Sequence, residues 1–184
     1  MNILIIVANN REESFSHAMA KRYQEIATAR GDIVEFVDLY KDKQQAFFAF
    51  EGSWDSKASQ EVRYFQEKIT IADELVFCFP YWWGSMPAIL KNFIDCNFTS
   101  GYAFKYENGM PKGLLQGKSA KFFVTTGAPK FWYTLTGANR RLKNMFKEQI
   151  INFCGIKLSS FTIFGGVDSS KNKEKLSAYL DAIK

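Results

Sequence analysis

The sequence predicts an α/β domain in which five strands form one parallel sheet, order 2-1-3-4-5, with helices on both faces. Three observations carry this expectation. Apolar runs of strand length alternate with segments of helical periodicity. The first, third and fourth runs are the most apolar, as strands covered on both faces are. The second and fifth carry more polar residues, which suits the two edges of that order.

The first run, Ile3-Leu4-Ile5-Ile6-Val7-Ala8, is unbroken. After the polar stretch Asn9 to Glu13, Phe15, Met19, Tyr23 and Ile26 recur at helical spacing, and Arg30-Gly31 reads as a helix end. Ile33 to Leu39 is a strand with interspersed acids, and Val62, Phe65 and Ile69 mark a second helix. Leu75 to Phe79 is again wholly apolar, followed by a helix marked by Met86, Ile89, Leu90, Phe93 and Ile94, with Ser85 as its expected cap and Pro87 in its first turn. Phe122 to Thr126 is the fourth strand. Leu142, Met145, Phe146, Ile150 and Phe153 mark a helix closed by Gly155. Phe161 to Phe164 and Lys171 to Ile183 give the last strand and helix.

Two connections are long. Tyr40 to Ser56 carries Phe47, Phe48, Phe50 and Trp54, too apolar for a plain solvated loop. Asn97 to Gln116 contains Asn108-Gly109, the strongest short hairpin signal. No repeat or composition shift divides the chain, so residues 1–184 are expected to form one domain, long enough to bury roughly 70% of its unfolded surface.

Composition narrows the function. Aromatic residues make 16% of the chain, with 18 Phe, 8 Tyr and 4 Trp, an excess that fits a dense core or a planar ligand. Net charge is +5, but the cations are scattered among acids and form no stripe, which argues against nucleic acid. Cys78, Cys96 and Cys154 form no CxxC pair and no metal-ligand spacing, which suits a reducing compartment. With no basic leader and no apolar run of about 18 residues, a soluble cytoplasmic protein that inserts in no membrane is expected.

In an open parallel sheet, ligands bind beyond the carboxyl ends of the strands, beside the first. Three loops therefore matter. The first, Asn9-Asn10-Arg11-Glu12-Glu13-Ser14-Phe15-Ser16-His17, offers hydroxyls and free amides at a helix start, an anion site or simply a Ser14 cap. Neither GxGxxG nor GxxxxGK[ST] is present. His17, the sole histidine, reads as surface or phosphate-adjacent rather than catalytic. The second, Pro80-Tyr81-Trp82-Trp83-Gly84-Ser85-Met86-Pro87-Ala88, carries three consecutive aromatic residues that cannot all face one core, so at least one ring should line a cleft. The third, Val124-Thr125-Thr126-Gly127-Ala128-Pro129, presents small residues with free amides to a flat ring's polar edge.

Together these residues resemble the flavodoxin-like NAD(P)H:quinone oxidoreductase family, which includes DT-diaphorase and bacterial relatives. Pro80 to Ala88, continuing through Leu90-Lys91 and Ile94-Asp95, is the most specific stretch; Thr125 to Ala128, Ser14 to Ser16, Tyr133 to Gly137 and Phe153-Cys154-Gly155 also match. The resemblance spans nearly the whole chain and implies a flavodoxin-like three-layer sandwich. It implies FMN or FAD held by Asn9, Arg11, Ser14, Phe15 and Ser16 around the phosphate, by Pro80, Tyr81, Trp82, Trp83 and Gly84 against the isoalloxazine, and by Thr125, Thr126, Gly127 and Ala128 at its pyrimidine side. Tyr133 matches a tyrosine that assists hydride transfer, but the family's histidine partner is Asn139 here, and the phosphate-loop histidine is Asn9. Asparagine takes no proton near pH 7, so a Tyr-His relay is not expected.

The resemblance further implies ping-pong transfer from NADPH or NADH through the flavin to a quinone-like acceptor, in a homodimer with the site at its interface. Two alternatives stand beside it: a one-electron carrier of flavodoxin type, against which the basic charge argues, and a flavin-binding regulatory subunit of a potassium-efflux transporter. The whole reading requires the turns at Ser14, Pro80 and Gly127 to converge on one open cleft.

Overall fold

The structure, a computed structural model, describes residues 1–42, 46–47, 59–167 and 173–184. The chain runs β1 (Asn2–Val7), α1 (Phe15–Ala29), β2 (Ile33–Asp38), α2 (Gln60–Ile71), β3 (Glu74–Pro80) and α3 (Ala88–Asn97). It continues through β4 (Phe104–Glu107), β5 (Met110–Gly113), β6 (Ser119–Thr126), α4 (Lys130–Leu135), α5 (Ala138–Phe146), a π turn (Lys147–Ile151), β7 (Lys157–Gly165) and α6 (Lys173–Asp181).

Five strands form a parallel sheet in the order β2-β1-β3-β6-β7, the order read from the sequence once the small hairpin is set aside. Because strand side chains alternate between faces, each central strand feeds two cores. Leu4 and Ile6 of β1 with Leu75, Phe77 and Phe79 of β3 pack beneath α2, α3 and α5. Ile3, Ile5 and Val7 with Val76 and Cys78 pack against α1. This is why the runs in β1 and β3 show no polar interruption. Much of the aromatic excess lies in the first core, where Phe77 stacks on Phe122 at 4.9 Å and Phe122 meets Phe146 at 4.7 Å.

The edges behave as their composition predicts: Glu35 of β2 and Lys157 and Ser159 of β7 face solvent. The Asn108-Gly109 pair turns the β4–β5 hairpin with positive φ at both residues. Three expectations change. The helix after β3 begins at Ala88 with Pro87 as its N-cap, so Ser85 is no cap; its N–H and C=O close a turn with Trp82 instead. The fourth expected helix ends at Phe146 and passes into the π turn. A further helix, α4, was not foreseen, because its large apolar side chains Phe131, Trp132 and Leu135 are exposed and give no core-facing period. The helix expected from Lys171 is described from Lys173, and Phe48, Phe50 and Trp54 of the long aromatic loop lie outside the described residues. Among the described residues no helix is long and apolar enough to cross a membrane.

Candidate cofactor cleft

The chain leaves β1 toward one side of the sheet and β3 toward the other, which opens a crevice at their carboxyl ends. The three loops meet there around a cleft of about 680 Å³. Asn9, Arg11, Ser14 and Phe15 come from the first loop; Pro80, Tyr81, Trp82 and Trp83 from the second; Thr125, Gly127 and Ala128 from the third; and Tyr133 closes a side from α4. Ser16, Gly84 and Thr126 are not on the wall but shape it. Ser16 is buried, and its Oγ accepts from Asn9 Nδ2 at 3.3 Å. The Thr126 hydroxyl donates to the Ala128 carbonyl at 2.9 Å. Glu13, Ala18, Val167 and Leu176 also line the cleft without having been singled out. The last two come from beyond β7 and from α6, and nothing local in the sequence marks them.

The first loop is ordered by its own hydrogen bonds. Arg11 N–H donates to Asn9 Oδ1 at 3.0 Å, and Ser14 N–H to the Arg11 carbonyl at 3.1 Å. Ser14 is the N-cap of α1 and accepts from His17 N–H at 3.3 Å. The amides of Phe15 and Ser16 open the helix without an acceptor inside it, so a capped helix end with donors to spare faces the cleft. Arg11 is exposed and makes no ion pair among the described residues, whereas Glu12 is held by Lys41 at 2.9 Å. His17 is buried rather than surface-exposed: Nδ1 lies 2.8 Å from Ser14 Oγ and Nε2 2.9 Å from Asp38 Oδ2.

The second loop turns sharply. Trp82 N–H donates to Ser85 O at 3.0 Å and Ser85 N–H to Trp82 O at 2.9 Å. Trp83 and Gly84 between them have φ of 49° and 81°, the pattern of a type I′ turn. Glycine adopts that backbone freely, but tryptophan does so under strain. Trp83 is also wholly exposed, so its ring packs into no core although it lines the cleft. Strain at an exposed aromatic residue beside a cleft points to use by a ligand or partner.

Tyr133 is placed by the packing of α4 on the end of β7. A Cβ on Gly165 would lie 2.3 Å from Lys130 N, so only glycine permits this approach. Tyr133 meets Tyr81 edge-on, centroids 5.4 Å apart, and its hydroxyl has no hydrogen bond among the described residues. Asn139 does not engage it; Nδ2 donates to Thr134 Oγ1 at 3.0 Å and Oδ1 is buried without a partner among the described residues. A separate groove of about 580 Å³ beside α5 collects Lys130, Arg140, Lys143 and Lys147. The three thiols are buried away from these surfaces, and burial pushes Cys78 and Cys154 up, the latter to about 12.

A capped helix start, an aromatic wall and the exposed residues Gly127 and Ala128 thus surround a cleft of ligand size. These residues fit a planar heterocycle with a phosphate tail, and the tryptophans leave the cleft open. The chain belongs to the family with the flavodoxin-like fold, whose pattern matches residues 1–184. It is 31% identical over 179 residues to an uncharacterized NAD(P)H oxidoreductase of Haemophilus influenzae, covering 95% of this chain and 89% of that one. It is 29% identical over 178 residues to NAD(P)H dehydrogenase [quinone] 1 of Cavia porcellus, covering 84% of this chain and 65% of the longer relative. The NAD(P)H:quinone oxidoreductase of Methanothermobacter marburgensis shares the fold with a TM-score of 0.89 at 24% identity, over 98% of this chain and 94% of that one.

Proposed function

We propose that the protein is a flavin-dependent oxidoreductase that transfers hydride from NADPH or NADH to a quinone-like acceptor, the two docking in turn at the same cleft. The observation that carries this reading is the convergence of three separate loops into a cleft with the capped start of α1 at one end and aromatic walls beside it. Bound there, FMN or FAD would supply the hydride chemistry. The names of the Haemophilus influenzae and Cavia porcellus relatives support the same assignment.

The chain's own residues would hold and tune that group. Ser14 and the first-turn amides of α1 would take its phosphate, with Arg11 adding a cation nearby. Tyr81, Trp82 and Trp83 would lie against the rings. The exposed amides of Gly127 and Ala128 would donate to the polar ring edge, where negative charge collects on reduction. Tyr133 would offer its free hydroxyl to the ligand from the far wall. Asn139 supplies no titratable proton, so Tyr133 acts as a fixed donor and not as part of a relay.

The proposal includes a homodimer. Phe131, Trp132 and Leu135 on α4 are exposed together, an apolar patch beside the cleft that a second copy would cover. Light scattering on the purified protein should give twice the 21.1 kDa chain mass; a monomer at micromolar concentration removes this part of the reading. The nicotinamide donors and buried free thiols favour a cytoplasmic setting.

The direct test is anaerobic mixing of flavin-loaded protein with NADPH or NADH. The yellow absorbance should bleach and return on addition of a benzoquinone. A flavin that stays yellow with both donors contradicts the proposal.

A further inference from the structure

Beneath the anion loop lies a chain of three side chains that the shape of the cleft does not require. Ser14 Oγ is 2.8 Å from His17 Nδ1, and His17 Nε2 is 2.9 Å from Asp38 Oδ2. His17 and Asp38 are 5% and 7% exposed, so water scarcely competes for either contact. Parallel pairing sets Asp38 opposite Val7, which brings the carboxyl end of β2 alongside the loop that follows β1. The carboxylate is itself fixed, because Oδ1 accepts from Tyr40 N–H at 3.0 Å and Asp42 accepts from Asp38 N–H at 2.6 Å. The other charged groups of the surrounding described segments are half-buried Asp42 and, all exposed, Arg11, Glu13, Lys21 and the Glu12–Lys41 pair.

Counting protons links this chain to the ligand. A serine hydroxyl has one proton and two lone pairs. One lone pair of Ser14 already accepts from His17 N–H at 3.3 Å. Asp38 accepts the proton on Nε2. When the imidazole is neutral, Nδ1 is therefore bare and draws the Ser14 proton inward, and the hydroxyl meets the cleft with a lone pair, which repels an anion. When Nδ1 also carries a proton, it donates to Ser14 Oγ, and the hydroxyl proton is released toward the cleft. An anion at Ser14 and a second proton on His17 therefore favour one another, and the coupling is reciprocal.

We propose that binding of the flavin's phosphate at Ser14 takes up a proton at His17, with Asp38 and His17 acting as positioning residues that aim the Ser14 hydroxyl at the phosphate. This rests on the flavin reading of the cleft. The bound state holds one proton more than the free state, so affinity falls as pH rises. Where the free imidazole is neutral, the dissociation constant climbs by up to about tenfold per pH unit.

The test is a set of fluorescence titrations of the full-length, flavin-stripped protein with FMN, FAD and riboflavin between pH 7.5 and 9, where the FMN phosphate is already fully ionised. Dissociation constants for FMN or FAD should rise about tenfold across that range, while that for riboflavin, which lacks a phosphate, stays flat. His17→Gln and Ser14→Ala should flatten the FMN and FAD profiles, and Asp38→Asn should reduce their slope. Ser14→Ala leaves the buried His17–Asp38 pair in place, so it reports even if His17→Gln folds poorly. Equal slopes in wild type and Ser14→Ala overturn the proton linkage. If FMN and FAD bind no more tightly than riboflavin at any pH, the phosphate placement itself is wrong and the linkage falls with it. Bleaching of the flavin by NADPH is scored separately, so failure of the linkage leaves the oxidoreductase reading distinguishable.

Discussion

Trp83 offers a perturbation whose two effects run in opposite directions. Its φ of 49° places a bulky side chain in the left-handed region, at a cost of about 1–2 kcal/mol. The ring is wholly exposed, so removing it opens no cavity. Trp83→Gly relieves the strain and gives back about 0.4–1 kcal/mol through the freer unfolded chain. The net gain is about 0.5–1 kcal/mol, or a rise of roughly 1–4 °C in the melting temperature of the flavin-free protein. The same substitution removes a ring from the cleft wall. Stacking of this kind is worth about 1–3 kcal/mol, so flavin affinity should fall by about 5- to 150-fold. Differential scanning fluorimetry of flavin-free protein and a fluorescence titration with FMN measure the two effects, and Trp83→Asn, which tolerates the same backbone, should reproduce both. A lower melting temperature would show that the turn is not strained, and unchanged flavin affinity would show that the ring serves another purpose.

Further outcomes follow from other parts of the molecule. Tyr133→Phe removes a hydroxyl with no hydrogen bond among the described residues, so stability should stay within about 0.5 kcal/mol while the rate of flavin reduction in stopped flow drops about tenfold; an unchanged rate removes Tyr133 from the chemistry. In the groove beside α5, Arg140→Ala with Lys143→Ala should lower the ratio of kcat/KM for NADPH over NADH about fivefold if those cations meet the extra phosphate, and steady-state kinetics would show no change if they do not. Away from the cleft, buried Tyr23 donates to Glu74 at 2.5 Å, and Tyr23→Phe, which leaves that carboxylate short of a donor, should cost about 1–3 kcal/mol in urea unfolding. Burial, then the Glu74 hydrogen bond, raise the Tyr23 phenol above its ordinary value. Its folded pKa thus exceeds the unfolded one, and its contribution is complete below about pH 10 and lost as pH rises beyond it. Wild type should lose stability between pH 9 and 11 more steeply than Tyr23→Phe; parallel profiles would refute this.

The sheet was legible because burial on both faces leaves a clear mark: β1 and β3 feed two cores and so carry no polar interruption. Their edges were legible for the opposite reason, as in exposed Glu35 of β2. The Pro80 to Ala88 stretch announced a cleft because three adjacent rings cannot share one core. Helix α4 was hidden because its apolar side chains point to solvent, where hydrophobic periodicity carries no information. Val167 and Leu176 reach the cleft only through the return of the chain past β7, which local sequence does not encode. The His17–Asp38 contact spans 21 residues and depends on the β1–β2 register, so it becomes readable only once strand order is known. Ser16 and Thr126 stand in the right loops but turn inward, since small hydroxyl residues serve a loop's own hydrogen bonds as readily as a ligand's.

The central claim is that the turns at Ser14, Pro80 and Gly127 clasp a flavin. The absorbance spectrum of the protein as purified, with mass analysis of whatever the denatured protein releases, tests it most directly. A yellow protein releasing close to one FMN or FAD per chain is the predicted result. A colourless protein that takes up neither on titration would contradict it.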